Sequence, residues 1–244
     1  MPSVDENLKV WDSYPWSDRG EEWSQPWGNA ALQWAITIYP RIMRAIPTDT
    51  ILEIAPGFGR WVPFLLAYSR SYIGIDISPR CISYCQDVYG RLRQRPRFSV
   101  GDGTSFPGVE NSNVSFVFSF DSLVHVELDC LSAYMKEINR VLRPGGYAFL
   151  HHSNLGAYEV GSVDNQGWRG VTVSAERFAH ECVDAGLRVV TQEKTPWVFG
   201  GILTDCFSLL QKPGRGEKLD FGRLFVNEDF HLEFKIAAKM AERA

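Results

Sequence analysis

The chain has 244 residues, of which 45% are hydrophobic and 22% charged, and its formal net charge is −4. This balance is typical of a globular domain that can bury a sizeable core. A protein that binds duplex nucleic acid would more often carry a basic excess, so the charge disfavours that class. No apolar run reaches the roughly 18 residues that cross a bilayer, and the first residues lack the pattern of a secretory signal. We expect a cytoplasmic, single-domain protein with no nucleic-acid or membrane partner, and a homodimer is one possible assembly.

The five cysteines include no C-x-x-C pair. Cys81 and Cys85 share a predicted helix face, but the sequence offers no second pair to complete a zinc site. We therefore expect small buried thiols in a reducing compartment.

The first 48 residues form an aromatic arm that leads into helices. Five of the eight tryptophans lie here: Trp11, Trp16, Trp23, Trp27 and Trp34. Apolar positions recur at helical spacing from Asn29 to Ile46, and Pro40 is predicted to kink or divide that helix. Two interpretations stay open, and both can hold: the indoles pack on the core, or they form a lid over a cleft. Trp27 is the arm residue that we expect at a ligand.

From Thr50 the pattern changes to strands that alternate with helices. The predicted strands are Thr50–Ala55, Ser71–Ile77, Arg97–Gly101, Val114–Phe120, Gly146–His152, Leu187–Gln192 and Asp205–Gln211. The predicted helices between them are Arg60–Ala67, Pro79–Arg93, Cys130–Val141 and Ser174–Ala185. This alternation predicts an α/β fold, Rossmann-like, with a doubly wound sheet of seven strands that is mostly parallel.

The last predicted strand has a different connection. No helix fits in the short TPWVFGGILT loop before Asp205–Gln211, so we expect this strand to run antiparallel. A C-terminal extension, residues 214–244, follows and ends in a predicted helix, Glu233–Arg243. We expect one domain in three parts, with the arm and helices at 1–48, the Rossmann-like core at 49–213 and the extension at 214–244.

A glycine-containing turn, Pro56-Gly57-Phe58-Gly59, ends the first strand and opens a helix. Ligands of open α/β sheets bind beyond the carboxyl ends of the strands, and glycines let the backbone approach a ligand closely. Asp76 ends the next strand, where an acid can accept hydrogen bonds from both hydroxyls of a ribose. Glu53 would repel a phosphate, and the third glycine of the dinucleotide fingerprint is replaced by Pro63. The turn therefore favours a cofactor that carries an amine, a carboxylate and a ribose.

The segment Glu53-Ile54-Ala55-Pro56-Gly57-Phe58-Gly59 resembles the first motif, E/D-x-G-x-G-x-G, of class I S-adenosylmethionine-dependent methyltransferases. Ala55 stands where the first glycine usually lies. Later segments resemble the following motifs in order: Ile73–Ser78, Gly101-Asp102-Gly103, Phe118–Asp121 and Leu142–Gly146. The resemblance covers residues 50–153 and, with the strand count, extends to about residue 212.

This resemblance implies S-adenosyl-L-methionine as the cofactor. It implies that the turn holds the methionine part, that Asp76 binds the ribose and that Asp102 lies near the adenine amine. The candidate cofactor-binding residues are Glu53, Ala55, Pro56, Gly57, Gly59, Arg60, Asp76, Ile77, Asp102, Gly103, Phe120 and Trp27.

Three polar side chains are predicted to converge on this cleft as catalytic residues. Asp121 ends the fourth strand, and His125 follows four residues later. His151 and His152 end the fifth strand on opposite faces, and we favour His152 as the one that faces the cofactor and acts as general base. Both His125 and His152 also have a plain structural interpretation, as histidines whose nitrogens bond to neighbouring groups.

Asp121, His152 and Asn154 are also candidate ligands of a magnesium ion that would polarise an acceptor hydroxyl, although their spacing is not a recognised signature. The polar segment Asn154–Val173 lies where acceptor recognition is expected. Within it, Trp168 and Arg169 suit a sugar ring or a carboxylate, and Asn154 is a further candidate. A loop anchored by Trp168 is the alternative.

The combination of FSFDSLVHVE, LHHSNLG and the later Trp-Arg pair resembles bacterial methyltransferases of polysaccharide biosynthesis, among them the mycobacterial sugar 1-O-methyltransferases that make methylmannose polysaccharides. It implies methyl transfer to a sugar or oligosaccharide hydroxyl. Two alternatives stay open: methylation of an amine or carboxylate of a small molecule, and binding of S-adenosylmethionine without turnover. The D/N-P-P-Y/F motif of DNA amino-methyltransferases is replaced here by Asp121-Ser122-Leu123-Val124, which disfavours that class.

Overall fold

The structure is a computed structural model, and it describes residues 3–159, 161–163, 168–197 and 201–242. One mixed sheet of eight strands runs through the molecule in the order β3-β2-β1-β4-β5-β7-β6-β8. The strands are β1 (Thr48–Ile54), β2 (Ser69–Asp76), β3 (Arg97–Val100), β4 (Val114–Ser119), β5 (Leu142–Ser153), β6 (Arg188–Thr195), β7 (Asp205–Gln211) and β8 (Arg223–Val226). Every residue of β4 is buried, as expected for a strand at the centre of a sheet that is covered on both faces.

Helices cover both faces of this sheet. They are α1 (Val4–Ser13), α2 (Ala30–Gln33), α3 (Tyr39–Ile42), α4 (Val62–Ala67), α5 (Pro79–Tyr89), α6 (Leu128–Val141), α7 (Ala175–Asp184) and α8 (His231–Ala241). In one hydrophobic cluster, the helices α2, α3, α4 and α5 pack against the sheet face that carries Phe116, Phe118 and Phe149. A second cluster joins α6 and α7 with the opposite face. The two faces of β5 therefore look into different cores, which decides the positions of its two histidines.

The predicted α/β Rossmann-like fold is confirmed, with a correction to the number of strands. β7 pairs antiparallel with both β5 and β6, as its short connection predicted. The eighth strand, β8, lies in the C-terminal extension and pairs parallel with β6. Its four residues are exposed, so the sequence has no alternation of buried and exposed residues there that would predict a strand.

The helix predicted over Asn29–Ile46 runs without a break from Ala30 to Ile42, and a π-helical turn at Trp34–Ile38 widens it just before Pro40. Proline has no N–H, and its ring clashes with the carbonyl four residues back, so a wider turn accommodates it. The predicted C-terminal helix begins two residues earlier than expected, at His231, and its predicted last residue, Arg243, lies outside the described residues. Within the described ranges, no helix combines the length and the apolar character needed to cross a membrane.

Candidate active site

A cleft opens at the carboxyl ends of β1, β2 and β4. The sheet order reverses between β1 and β4, which is the position where ligands of doubly wound sheets bind. The cleft, called here the cofactor cleft, contains about 1150 Å³ of empty space, including its open mouth. Residues after the three strands line it, among them Ala55, Gly57, Asp76, Ile77 and Asp121.

The turn after β1 lines the cleft with residues in unusual backbone conformations. Ala55 and Gly57 both have a φ of 56°, in the left-handed region that favours glycine. Ala55 therefore adopts the conformation of the glycine that it replaces, and its N–H bonds to the Ile75 carbonyl at 2.7 Å. A Cβ on Gly57 would lie 3.0 Å from Cη2 of Trp16. Pro56 completes this stretch of the lining.

Gly59 has a different reason to be glycine. Its φ is 80°, and a Cβ there would lie 2.4 Å from Cε2 of Tyr89 on α5. Gly59 is also outside the lining of the cleft. The structure thus gives this glycine a packing reason, because a residue without a Cβ admits the ring of Tyr89 from the neighbouring helix.

Asp76 has the geometry of a ribose acceptor. Its Oδ2 accepts the Gly57 N–H at 3.0 Å and its Oδ1 accepts the Ser78 N–H at 2.9 Å. The side chain lines the cleft, and a carboxylate offers about four lone-pair sites, so a vicinal diol can still donate to it. Burial raises the pKa of this carboxyl above its ordinary value, although the backbone donors oppose the shift. These observations fit S-adenosylmethionine.

Glu53 and Asp102 lie outside the lining of the cleft. Glu53 is buried beneath the turn, where it accepts the Tyr72 hydroxyl, and burial raises its pKa to about 8. Asp102 is exposed and accepts hydrogen bonds from Thr104 and Ser105, which lower its pKa to about 2. Its carboxylate is thus satisfied by its own turn, whereas the neighbouring Gly103 lines the cleft.

The N-terminal arm, residues 3–28, covers the cofactor cleft. Trp11, Trp16 and Trp23 line it together with Val4, which lies above Gly103. The arm is attached by a 2.6 Å hydrogen bond from the Ser78 hydroxyl to Asp12, and by Arg80, which donates to the carbonyls of Asp12 and Tyr14.

Trp27 was predicted to bind the cofactor, but it does not line the cofactor cleft. It is buried against Phe234 and Trp197, and its Nε1 donates to the Thr37 hydroxyl at 2.8 Å.

A second cavity adjoins the cofactor cleft and is called here the acceptor pocket, after the role proposed for it. Asp121, His125, Trp11 and Trp23 line both cavities. Half of the remaining lining of the acceptor pocket is aromatic, namely Tyr14, Trp27, Trp168 and Trp197, and its charged groups are Glu22 and Arg169. The two cavities therefore meet at Asp121 and His125.

His125 has one nitrogen engaged and one available. Its Nδ1 lies 3.1 Å from the Trp168 carbonyl oxygen, which can only accept, so Nδ1 carries the proton. Nε2 makes no hydrogen bond to the described part of the chain and keeps its lone pair. Burial lowers the pKa of His125 below its ordinary value, so the imidazole stays neutral and able to accept a proton near neutral pH.

Arg60 and Asp121 form an ion pair at the same junction. Nη2 of Arg60 lies 3.0 Å from Oδ2 of Asp121, and both side chains line the cofactor cleft. Phe120 lines it next to them and packs edge-on against Trp61. Asp121 and His125, two of the three predicted catalytic residues, therefore line the same cleft as the cofactor-binding candidates Arg60 and Phe120.

His152 does not face the cleft, and the prediction that it does is wrong. It is fully buried on the opposite face of β5, stacked on Phe178, with Nδ1 bonded to the Ser153 carbonyl and Nε2 to the Ser208 hydroxyl. Burial lowers its pKa to about 3. Its plain structural interpretation is the correct one.

Asn154 is also structural. Its amide bonds to the Leu203 carbonyl and to the Ala175 N–H, both at 2.8 Å. Because His152 points away from Asp121, the predicted magnesium ligands are not assembled. No cluster of three or more acidic, histidine or cysteine side chains with ligand geometry occurs within the residues that the structure describes.

His151, and not the favoured His152, is the histidine of β5 that turns toward the cofactor face. It is fully buried; its Nδ1 accepts the Asp121 N–H at 3.1 Å and its Nε2 lies 2.9 Å from Asp205. Asp205 in turn pairs with Arg169, so Arg169 reaches the acceptor pocket as part of a buried ion pair. The alternation of side chains along a strand shows only that the two histidines lie on opposite faces. Which of them faces the cofactor cleft depends on which core each face packs against.

Comparisons with known proteins agree with this geometry. A protein-family profile described as "Methyltransferase domain" matches residues 51–146. The match spans the glycine turn, Asp76 and the junction at Asp121. These residues carry a methyltransferase domain that depends on S-adenosylmethionine.

Solved structures of other methyltransferases share the fold. An S-adenosylmethionine-dependent methyltransferase from Leishmania major is 12% identical with a TM-score of 0.65, and the match covers 85% of this chain and 82% of that one. One from Clostridium acetobutylicum is 13% identical with a TM-score of 0.58, covering 78% and 92%. A putative sarcosine dimethylglycine methyltransferase from Galdieria sulphuraria is 15% identical with a TM-score of 0.58, covering 75% and 85%. At these identities the likeness is one of fold.

Proposed function

We propose that this methyltransferase transfers a methyl group to a hydroxyl of an acceptor that binds in the aromatic pocket, with Nε2 of His125 as the general base. The observation that carries the proposal is the position of His125, which lines both cavities with its Nδ1 proton donated to Trp168 and its Nε2 lone pair available. An alcohol must lose a proton as it attacks, and a neutral imidazole contributes about 10²–10⁴ in rate to such a step.

The cofactor, when bound, supplies a methyl group on a sulfonium. In the cofactor cleft, Asp76 would accept the ribose hydroxyls, and the backbone at Ala55 and Gly57 would hold the methionine part with Arg60 close to its charged groups. Displacement at the methyl carbon requires acceptor, methyl and sulfur in line. The shared wall at Asp121 and His125 is the place where such a line would cross from one cavity into the other.

A sugar or oligosaccharide is the acceptor class that we propose. Flat indole faces suit the apolar C–H faces of a sugar ring, and the acceptor pocket presents Trp11, Trp23 and Trp168. The resemblance to sugar O-methyltransferases points to the same class, with a mannoside 1-OH as the specific candidate. A reducing-end hydroxyl is more acidic than the other sugar hydroxyls, which suits a histidine base.

An amine acceptor is the second candidate. Aromatic faces also attract an ammonium group, and the carboxylate of Glu22 lies in the same pocket. Sarcosine and dimethylglycine, after which the similar Galdieria sulphuraria protein is named, are amines. An amine needs less help from a base, because its lone pair is free once it is neutral, so loss of His125 would slow that reaction only mildly.

The test is transfer of labelled methyl from S-adenosylmethionine to a panel of mannosides, phenols and amines, by the parent protein and by His125→Asn. The asparagine amide can still donate to the Trp168 carbonyl but offers no base. His180→Asn is the matched control, since His180 also bonds a backbone carbonyl through Nδ1 but lies exposed on α7.

Labelled sugar that falls at least about a hundredfold in His125→Asn, and not in His180→Asn, supports the proposal. Labelled amine that persists in His125→Asn supports the second candidate. Parallel reactions with added magnesium and with EDTA report on the predicted metal, and equal rates in both are expected, since the predicted ligands are not assembled.

A further inference from the structure

A buried chain of hydrogen bonds connects the acceptor pocket with the end of β4. Arg169 pairs with Asp205 through Nε and Nη2, the latter at 2.9 Å. Asp205 lies 2.9 Å from Nε2 of His151, and Nδ1 of His151 lies 3.1 Å from the backbone nitrogen of Asp121. His151 and Asp205 are both fully buried. This chain of hydrogen bonds therefore joins Arg169 of the acceptor pocket to Asp121 at the junction of the two cavities.

The directions of these hydrogen bonds follow from their donors. The Asp121 N–H can only donate, so Nδ1 of His151 is the unprotonated nitrogen and Nε2 carries the proton, which it donates to Asp205. Burial alone would raise the pKa of Asp205, but its partners Arg169 and His151 hold it well below its ordinary value. An ionised Asp205 is therefore a permanent acceptor, and it selects one tautomer of His151.

The residue at the other end of the chain has an unusual backbone. Asp121 has a φ of 61°, a left-handed conformation that aspartate tolerates better than most residues but that still costs free energy. Such conformations persist where the surroundings hold them, and they cluster at functional sites. Two contacts reach Asp121 here: its N–H donates to His151, and its carboxylate accepts from Arg60 between the two cavities.

We propose that His151 is a positioning residue for methyl transfer, which holds Asp121 in its left-handed conformation while Asp205 and Arg169 fix the required tautomer. His151 lines neither cavity in the described part of the chain and acts through Asp121. The proposal rests on the proposed function, because it assumes that the junction at Asp121 and His125 is where the acceptor reacts.

Two substitutions separate the two ends of the imidazole. The amide oxygen of His151→Asn occupies the place of Nδ1 and can still accept the Asp121 N–H. The amide of His151→Gln reaches the place of Nε2 and can still bond to Asp205, but it leaves the Asp121 N–H without its acceptor. Both variants shorten or reshape the same buried side chain, so loss of packing affects both.

The first readout is amide hydrogen exchange of Asp121 in the complex with S-adenosylhomocysteine, which needs no acceptor. Protection should persist in His151→Asn and fall at least about tenfold in His151→Gln. Long-range proton–nitrogen spectra of the parent should show His151 protonated at Nε2. A proton on Nδ1, or equal protection in the two variants, would overturn the proposal.

The second readout is methyl transfer to the best acceptor of the panel. We expect kcat to fall about a hundredfold in His151→Gln, as for a displacement of about 1 Å at a reacting group, and His151→Asn to recover most of that loss. A merely structural role predicts that activity follows the melting temperature in both variants. Dependence on His151 without dependence on His125 would refute the proposed base and leave the positioning role intact. If activity depends on His125 but is equal in the two His151 variants, the positioning role is refuted and the proposed base stands.

Discussion

The two glycines of the turn after β1 should respond differently to the same substitution. Gly57→Ala puts a methyl group in the lining of the cofactor cleft, 3.0 Å from the Trp16 ring of the arm, whereas Gly59→Ala puts it 2.4 Å from the buried ring of Tyr89. Both positions have positive φ, so each alanine costs about 1–2 kcal/mol of backbone strain. Gly59→Ala adds overpacking of about 1–3 kcal/mol, because Tyr89 is buried and its hydroxyl bonds to the Gly59 carbonyl.

The expected destabilisation is therefore about 2–5 kcal/mol for Gly59→Ala and about 1–2 kcal/mol for Gly57→Ala. In a chain of this length, 1 kcal/mol lowers the melting temperature by about 2–4 °C. Calorimetry should give a loss of about 4–20 °C for Gly59→Ala and of about 2–8 °C for Gly57→Ala. Titration with S-adenosylmethionine should show at least a tenfold loss of affinity, about 1.4 kcal/mol, for Gly57→Ala alone.

A double variant isolates the steric part of this effect. Replacing Tyr89 with leucine removes the ring edge that a Cβ on Gly59 would meet at 2.4 Å. The cycle of Gly59→Ala and Tyr89→Leu should then show a favourable coupling of about 1–3 kcal/mol. Weak cofactor binding with an unchanged melting temperature in Gly59→Ala would refute the assignment of this glycine to helix packing.

Three further predictions concern the site. The value of kcat/KM should rise with pH to a plateau, with a midpoint below about 6.5, because His125 acts in its neutral form and burial lowers its pKa; a midpoint above 7 would contradict this. Asp76→Asn should weaken cofactor binding by about ten- to a hundredfold in titration calorimetry, since it removes a charged acceptor for the ribose, and unchanged affinity would exclude that role. Deletion of residues 1–28 should weaken cofactor binding and speed its dissociation in stopped-flow measurements, because the arm lines the cleft, and an unchanged dissociation rate would show that it is no lid.

Much of the fold was predictable because its signals are local. The near-continuous apolar run Val114–Phe120 and the alternation of strands with helices predict a covered parallel sheet, and the short loop before β7 predicts its reversal. β8 was not predicted, because an exposed edge strand has no buried face and so shows no alternation of apolar and polar residues. The positions of Asp76, Ala55 and Gly57 at the ends of strands that line the cleft were likewise predictable, since a strand and the turn that ends it are formed by consecutive residues.

The features that the sequence did not predict lie where two distant segments meet. The role of Gly59 depends on Tyr89, thirty residues away along the chain, and the choice between His151 and His152 depends on which core each face of β5 meets. Trp27 is drawn into the hydrophobic core by Phe234 of the last helix. Sequence spacing cannot anticipate such partners, because contacts between distant segments form only when the whole sheet is assembled.

The amino-acid sequence by itself determined the class of the protein, since strand period, glycine turn and acidic strand end are local consequences of backbone sterics and of hydrogen-bonding chemistry. Only the tertiary structure decided which side chains face the cavities. It brought His125 to the junction with an Nε2 that makes no hydrogen bond to the residues the structure describes, and it buried His152 behind the sheet. Burial and partners, which set both the tautomer and the pKa of a histidine, arise from packing across the sheet and are absent from any single segment of the chain.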